Sequence, residues 1–160
     1  MSNLYQMFEM DADLEREGIT VNYGSVKVLL ARAGGRNAGF KRLFNAKVKS
    51  FRHQIKQETL DDEVAERLMA EAYAEKVILG WWSRKEDENG DPILNSKGEE
   101  KWDDVIENAE GKRVKFSVDA CVQILLDLPE LFINIQEMST SAANYRKELE
   151  AEDEENLEQS

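Results

Sequence analysis

The run Ile124-Leu125-Leu126-Asp127-Leu128-Pro129-Glu130-Leu131-Phe132 constrains this chain more than any other feature. Apolar residues flank a proline that has no amide proton and clashes with the preceding helical turn. The same proline suits the first turn of a new helix, so the segment reads as helix, hinge at Pro129, helix. Upstream, Ser117 is a good N-cap and Asp119 complements the helix dipole, with Val118, Cys121, Val122, Leu125 and Leu128 as the buried face. Downstream, Leu131, Ile135, Met138, Ala142, Tyr145 and Leu149 recur in alternating steps of four and three, which predicts one amphipathic helix through to Leu149.

Towards the start, Ile19, Val21 and Tyr23 alternate with polar residues, Gly24-Ser25 turns the chain, and Val26, Val28 and Leu30 resume the alternation. That pattern predicts a β-hairpin ended by Gly34-Gly35. From Asn37 the period lengthens, and Phe40, Leu43, Phe44, Val48, Phe51 and Ile55 predict a helix. A second begins near Thr59, with Asp62 completing a capping box, and buries Val64, Leu68, Met69, Ala72, Tyr73 and Leu79. The tract Lys76 to Trp82 fits a helix end or a third strand equally, because short apolar runs carry no decisive period. Residues 83–115 read as an irregular, mobile loop with turn signals at Asn89-Gly90 and Asp91-Pro92, touching the body through Trp102 and Ile106. No internal repeat is visible. The expected fold is α+β: an N-terminal β-hairpin, with a third strand allowed at Val77–Trp82, packed against about four α-helices in one domain, 1–147. Residues 148–160 hold no basic residue and are expected to form an acidic disordered tail.

Charge narrows the function. Asp and Glu number 33 against 21 Lys and Arg, a formal charge of −12, which disfavours non-specific binding to nucleic acid or anionic membrane. The Met1 to Gln6 start has neither a basic nor an apolar signal region, and no apolar run approaches the roughly twenty residues that span a bilayer. One cysteine, Cys121, allows no intramolecular disulfide and fits a reducing cytoplasm.

Chemistry is sparse. A structural zinc site takes about four Cys or His ligands, whereas this chain has Cys121 and His53 alone. The acidic run Glu86 to Asp91 lacks the alternating ligands and distal glutamate of a calcium loop. His53 sits on a helix surface, and Cys121 lies on an apolar face where a thiol behaves as a small hydrophobe. Gly34 to Gly39 lacks the Lys-Ser/Thr of a phosphate loop, and no nucleophile elbow is present. No catalytic residue, cofactor, metal or small-molecule substrate is expected, and the chain is read as a non-enzyme.

Partner binding is the better prospect. Leu131, Phe132 and Ile135 are assigned to the core, while Met138, Ala142, Tyr145 and Leu149 are candidate partner-binding residues, burial being the competing reading. Arg32 to Lys56 holds eight basic residues and no acidic one. A solvated face is the plain reading. The sharper one is a docking face (Lys41, Lys47, Lys49, Arg52) for an acidic partner, a second copy or the chain's own acidic tail, with nucleic acid ranked last.

The order of these pieces resembles a known family. Tyr23-Gly24 and Ala31-Arg32-Ala33-Gly34-Gly35 precede a basic helix. An acidic helix then runs into Val77-Ile78-Leu79-Gly80-Trp81, followed by Asn89-Gly90-Asp91-Pro92-Ile93, Phe116-Ser117 and Leu125 to Phe132. The sequence is similar, from about residue 1 to residue 150, to the tail assembly chaperones of long-tailed, non-contractile bacteriophages. It departs from them in a longer stretch from Leu94 to Lys115. The resemblance implies a protein of the host-cell cytoplasm, absent from the mature virion, that keeps the tape-measure protein soluble and helps recruit tail-tube protein. It also implies self-association into a homo-oligomer and a longer frameshifted form. Two other classes are weighed: a structural tail or head–tail joining protein retained in the virion, and an acidic inhibitor that mimics DNA. A mimic needs carboxylates on a rigid surface, whereas the densest ones here fall in the tail and loop.

Overall fold

The alternation between Ile19 and Leu30 does build a hairpin. In the computed structural model, which describes residues 3–147, β1 (Ile19–Asn22) pairs antiparallel with β2 (Val26–Leu30), matching Ile19 to Leu30 and Val21 to Val28. Val21, Val28 and Leu30 face the core, as a period of two requires. Two short helices, α1 (Leu4–Phe8) and α2 (Ala12–Glu17), precede the hairpin.

The ambiguous tract after Lys76 is a strand. β3 (Ile78–Arg84) adds to the free edge of β2, pairing Trp81 with Val28, and β4 (Trp102–Asp103) adds to β3. The result is a four-stranded antiparallel sheet ordered β1-β2-β3-β4. A register shift between Leu29 and Leu30 leaves Leu79 without a partner on β2 and 41% exposed. Leu79 therefore belongs to a bulged strand, not to the buried face of the preceding helix.

The helices follow the sequence with three corrections. The helix expected from Asn37 to Ile55 is divided into α3 (Ala38–Ser50) and α4 (Arg52–Lys56) by Phe51, and Ile55 is exposed. Next comes α5 (Asp62–Lys76), capped not by Thr59 but by Asp61, whose carboxylate accepts from the Glu63 amide. Thr59 instead donates its hydroxyl to Gln54 O of the preceding segment. After α6 (Val118–Asp127), capped by Ser117 as expected, α7 (Pro129–Thr140) starts with Pro129 in its first turn. The third correction is its length. α7 ends at Thr140, and a 3-10 turn over Ala142–Tyr145 follows. Ser139 and Thr140 donate their hydroxyls to the carbonyls of Ile135 and Gln136, a back-bonding that competes with a continuing helix.

Residues 83–115 carry ordered β-structure rather than an irregular loop. β5 (Val105–Glu107) and β6 (Arg113–Lys115) form a second, two-stranded sheet, and isolated bridges join Glu86 to Pro92 and Leu94 to Glu100. One local motif recurs three times, a repeat that was not expected: Asp87-x-x-Gly90, Asn95-x-x-Gly98 and Asn108-x-x-Gly111. In each, the Asx side chain accepts from the amides two and four residues on, and its carbonyl accepts from the glycine amide. The glycine takes a left-handed conformation, φ +74° at Gly111, that a side chain would strain.

The core joins the sheet to α5, α6 and α7. Phe40, Tyr73 and Phe132 meet edge to face at 5.4 Å across three helices, and Trp81 packs against Phe116 at 5.0 Å. Glu15 is buried at 1% exposure, ion-paired to Arg32 Nη1 at 2.8 Å and accepting from the Arg36 amide at 2.8 Å. It ties α2 to the turn that leads into α3. Asn37 completes that junction, capping α3 through Phe40 N and donating to the carbonyls of Arg32 and Lys76. The acidic stretch 148–160 lies outside the described residues.

Candidate functional site

A largely apolar cleft of about 1050 Å³ lies beside the Pro129 hinge. Its floor is Val28, Ile78 and Trp81 of the sheet. One wall comes from Ile124 and Leu125 of α6 and from Leu131 and Ile135 of α7, with Leu128 at the lip. The opposite wall is the β5–β6 hairpin, through Ile106 and Arg113. Strand alternation turns the buried Val28 and Trp81 towards the helices, and the chain bends at Leu128–Pro129 between α6 and α7, both of which contribute lining residues. Leu128 keeps 52% of its surface exposed, although it was expected in the buried face.

Polar contacts fix the walls rather than fill the groove. Trp81 Nε1 donates to Val114 O at 3.2 Å and Ser83 Oγ to Val105 O at 2.5 Å, fastening the two-stranded sheet to β3. At the other lip, the Tyr23 hydroxyl donates to Asn134 Oδ1, tying the first hairpin to α7, and burial raises its pKa. The Arg113 hydrogen bond, at 2.6 Å, holds the Asp103 carboxyl below the usual carboxylate range, with Lys85 adding to the effect. Arg84 bridges Glu86 and Glu100 through its terminal nitrogens, at 3.2 and 3.5 Å. Its buried Nε has no partner among the described residues.

Groups capable of chemistry stand apart from one another. Burial pushes the Cys121 thiol up to about 12, so it stays protonated at neutral pH. His53 is exposed on α4, away from the cleft lining. Among the described residues no group of three or more His, Cys, Asp or Glu is placed to hold a metal ion, and no helix is long and apolar enough to cross a membrane.

The sequence-derived stripe does not form one surface. Met138 is partly buried against the core and Ala142 is half-buried in the 3-10 turn. Tyr145 is wholly buried, and its hydroxyl donates to Leu30 O at 3.0 Å. It anchors the core instead of offering a partner a face. Leu149 lies outside the described residues. On the basic segment, Lys41, Lys49 and Arg52 are exposed, whereas Lys47 is half-buried in a 2.8 Å ion pair with Glu71. Pro129 is where it was expected, and the hinge residues Leu128 and Leu131 prove to line the cleft themselves. Of the far wall, Ile106 was expected to touch the body and does, whereas the β5–β6 pairing and Arg113 were not anticipated. The signal for that pairing was the Asn108-x-x-Gly111 turn between two short alternating runs.

The fold and cleft define a highly charged α+β protein with a largely apolar groove. Residues 100–156 match the family model described as YdaY prophage protein, which supports a phage-derived chain. The matched stretch covers about a third of the sequence and includes the cleft wall from Asp103 to Ile135. No curated protein and no solved structure matches the chain at a significant level.

Proposed function

We propose that this is a non-enzymatic phage tail assembly chaperone, which holds the tape-measure protein through the apolar cleft until tail-tube protein displaces it. The observation that carries the reading is the cleft: a largely apolar groove, partly open to solvent, in a chain of net charge −12. Its volume of about 1050 Å³ sits at the upper end of the roughly 300–1,000 Å³ of small-molecule sites. Together with its openness, that suits the side chains of an amphipathic helix better than an enclosed small ligand. The resemblance in motif order to tail assembly chaperones supports the tape-measure assignment, and the prophage family match supports the phage setting.

The physical logic is that of a holdase. A tape-measure helix exposes apolar stripes before its tube forms, and such stripes aggregate unless covered. Binding in the cleft removes that surface from water, while the charged exterior keeps the complex soluble. Release follows mass action when tube subunits bind the same stripes more strongly, so no nucleotide is required. The chain would act in the host cytoplasm as a homo-oligomer and be absent from the finished virion.

The test is co-expression with a tape-measure protein from the same phage, scored by solubility and co-purification. A soluble complex is expected. An insoluble tape-measure protein beside a folded, soluble chain would refute the reading, and recovery of the chain in purified particles would favour a structural tail protein.

A further inference from the structure

The exposed basic ridge of α3 and α4 has an occupant of matching chemistry within the same chain. Lys41, Arg42, Lys49, Arg52 and Lys56 are all exposed. Arg42 and Lys49, seven residues apart, share one side of α3 with Lys41 flanking it, and Arg52 and Lys56, four apart, share one side of α4. Among the described residues none of the five lies within ion-pair distance of a carboxylate. On the neighbouring α5, Glu71 is already engaged by Lys47 and Arg67. The ridge therefore presents concentrated positive charge on a strongly acidic chain.

Residues 148–160 carry seven carboxylates and no basic group. Their point of departure is well defined. The Lys147 amide donates to Glu9 O at 2.9 Å and its Nζ pairs with Glu9 Oε1 at 3.0 Å, while Met10 and Arg146 form a bridge. This anchor holds Lys147 at a surface depression whose lining also includes Arg36, just before α3. Thirteen extended residues reach about 43 Å at roughly 3.3 Å each. The ridge from residue 38 to residue 56, broken at Phe51, is at most about 28 Å long at ~1.5 Å per helical residue. The segment is thus longer than the ridge, and it leaves from a depression that also borders Arg36 at the N-terminal end of α3.

We propose that residues 148–160 dock on the basic ridge of α3 and α4 of their own chain, as an intramolecular competitor for any acidic partner of that face. The contact is electrostatic and lies among exposed groups, so ionic strength controls it. The screening length is ~30 Å at about 0.01 M salt and ~3 Å at about 1 M. Raising salt, or supplying a more acidic surface, displaces the segment and bares the ridge. Nothing in this proposal depends on the cleft or on what the cleft binds.

A nitroxide on Asn156→Cys, in the full chain, tests it by paramagnetic broadening of backbone amide signals. Cys121 is buried and should not take the label in the folded chain. At low salt, amides of residues 41–56 should lose most of their intensity, with little loss on the β5–β6 hairpin, and high salt should restore them. The triple variant Lys41→Glu/Lys49→Glu/Arg52→Glu should abolish the broadening. Because that variant alters the ridge itself, the salt titration of the unaltered ridge serves as an independent readout. Labelled chain mixed with isotopically enriched, unlabelled chain should broaden residues 41–56 far less than labelled, enriched chain does, whatever the oligomeric state. Broadening that is absent, uniform or insensitive to salt would overturn the proposal, as would broadening of residues 41–56 equally strong in the mixed sample.

Discussion

The hydroxyl of Tyr145 donates to the carbonyl of Leu30 at 3.0 Å, joining the last described turn to the central hairpin across 115 residues of sequence. Tyr145 has no exposed surface, and burial raises its hydroxyl pKa well above the ordinary value. The segment after α7 is therefore locked into the core. The Asp11 amide donates to Tyr145 O and the Ala33 amide to Ser139 O, extending the same seam.

Tyr145→Phe should lower unfolding stability by about 1 kcal/mol, the net worth of a typical hydrogen bond. Tyr145→Ala should cost roughly 3–5 kcal/mol, because it also leaves a cavity. Urea denaturation of both variants checks this. A change near zero for Tyr145→Ala would put the residue on the surface after all.

The Glu15–Arg32 pair has a similar structural role. Replacing Glu15 by Gln leaves the Arg32 guanidinium half-buried without its counter-ion. The expected loss is ~2–4 kcal/mol, less than the roughly 3–5 of a fully buried pair because Arg32 keeps some solvent contact. Thermal unfolding of Glu15→Gln beside Arg16→Gln, whose partner Asp13 is exposed, should show a large drop for the first and almost none for the second.

The Cys121 thiol supplies a pH dependence with a definite sign. Its pKa rises from 9.0 to about 12 through burial, so above pH 9 the unfolded chain gives up a proton that the folded chain retains. Folding stability is unaffected by this group below pH 9. It then falls by about 1.4 kcal/mol per pH unit until the folded thiol titrates. Cys121→Ala should remove that component, so stability measured at pH 8 and pH 10.5 should fall more steeply in the parent. Parallel slopes would contradict the burial of the thiol.

The three Asx-x-x-Gly turns make a graded prediction. Asn108→Ala removes the acceptor for the amides of Glu110 and Lys112, at a cost of ~0.5–2 kcal/mol by analogy with a lost helix cap. Gly111→Ala forces a side chain into a left-handed conformation, at a cost of ~1–2 kcal/mol. Both should speed amide exchange on β5 and β6 more than on the four-stranded sheet.

These turns also show why some of the structure was legible and some was not. Ser117, Pro129 and the alternation from Ile19 to Leu30 act through local backbone chemistry, so the sequence displays them directly. The stripe through Met138, Ala142, Tyr145 and Leu149 kept a helical period across a point where Ser139 and Thr140 back-bond and α7 stops. Periodicity reports which residues turn inward, but not that the chain has changed direction between them. Tyr145 was thus apolar for the core rather than for a partner. Strands of two or three residues, such as β4 and β6, are too short for any period to register. Only the recurring Asx and glycine pairs could have exposed them. The cleft depends on residues far apart in sequence, Val28, Trp81, Ile106 and Leu131, and on the angle at Pro129. No local pattern encodes that meeting.

Calorimetric titration of the purified chain and its Leu128→Lys variant with an amphipathic segment of the tape-measure protein tests the cleft most directly. Leu128 is 52% exposed, so the substitution should leave the melting temperature nearly unchanged. The parent should bind, and Leu128→Lys should weaken binding by about tenfold or more, a difference of ~1.4 kcal/mol. Equal affinity in the two folded proteins, or no binding by the parent, would contradict this.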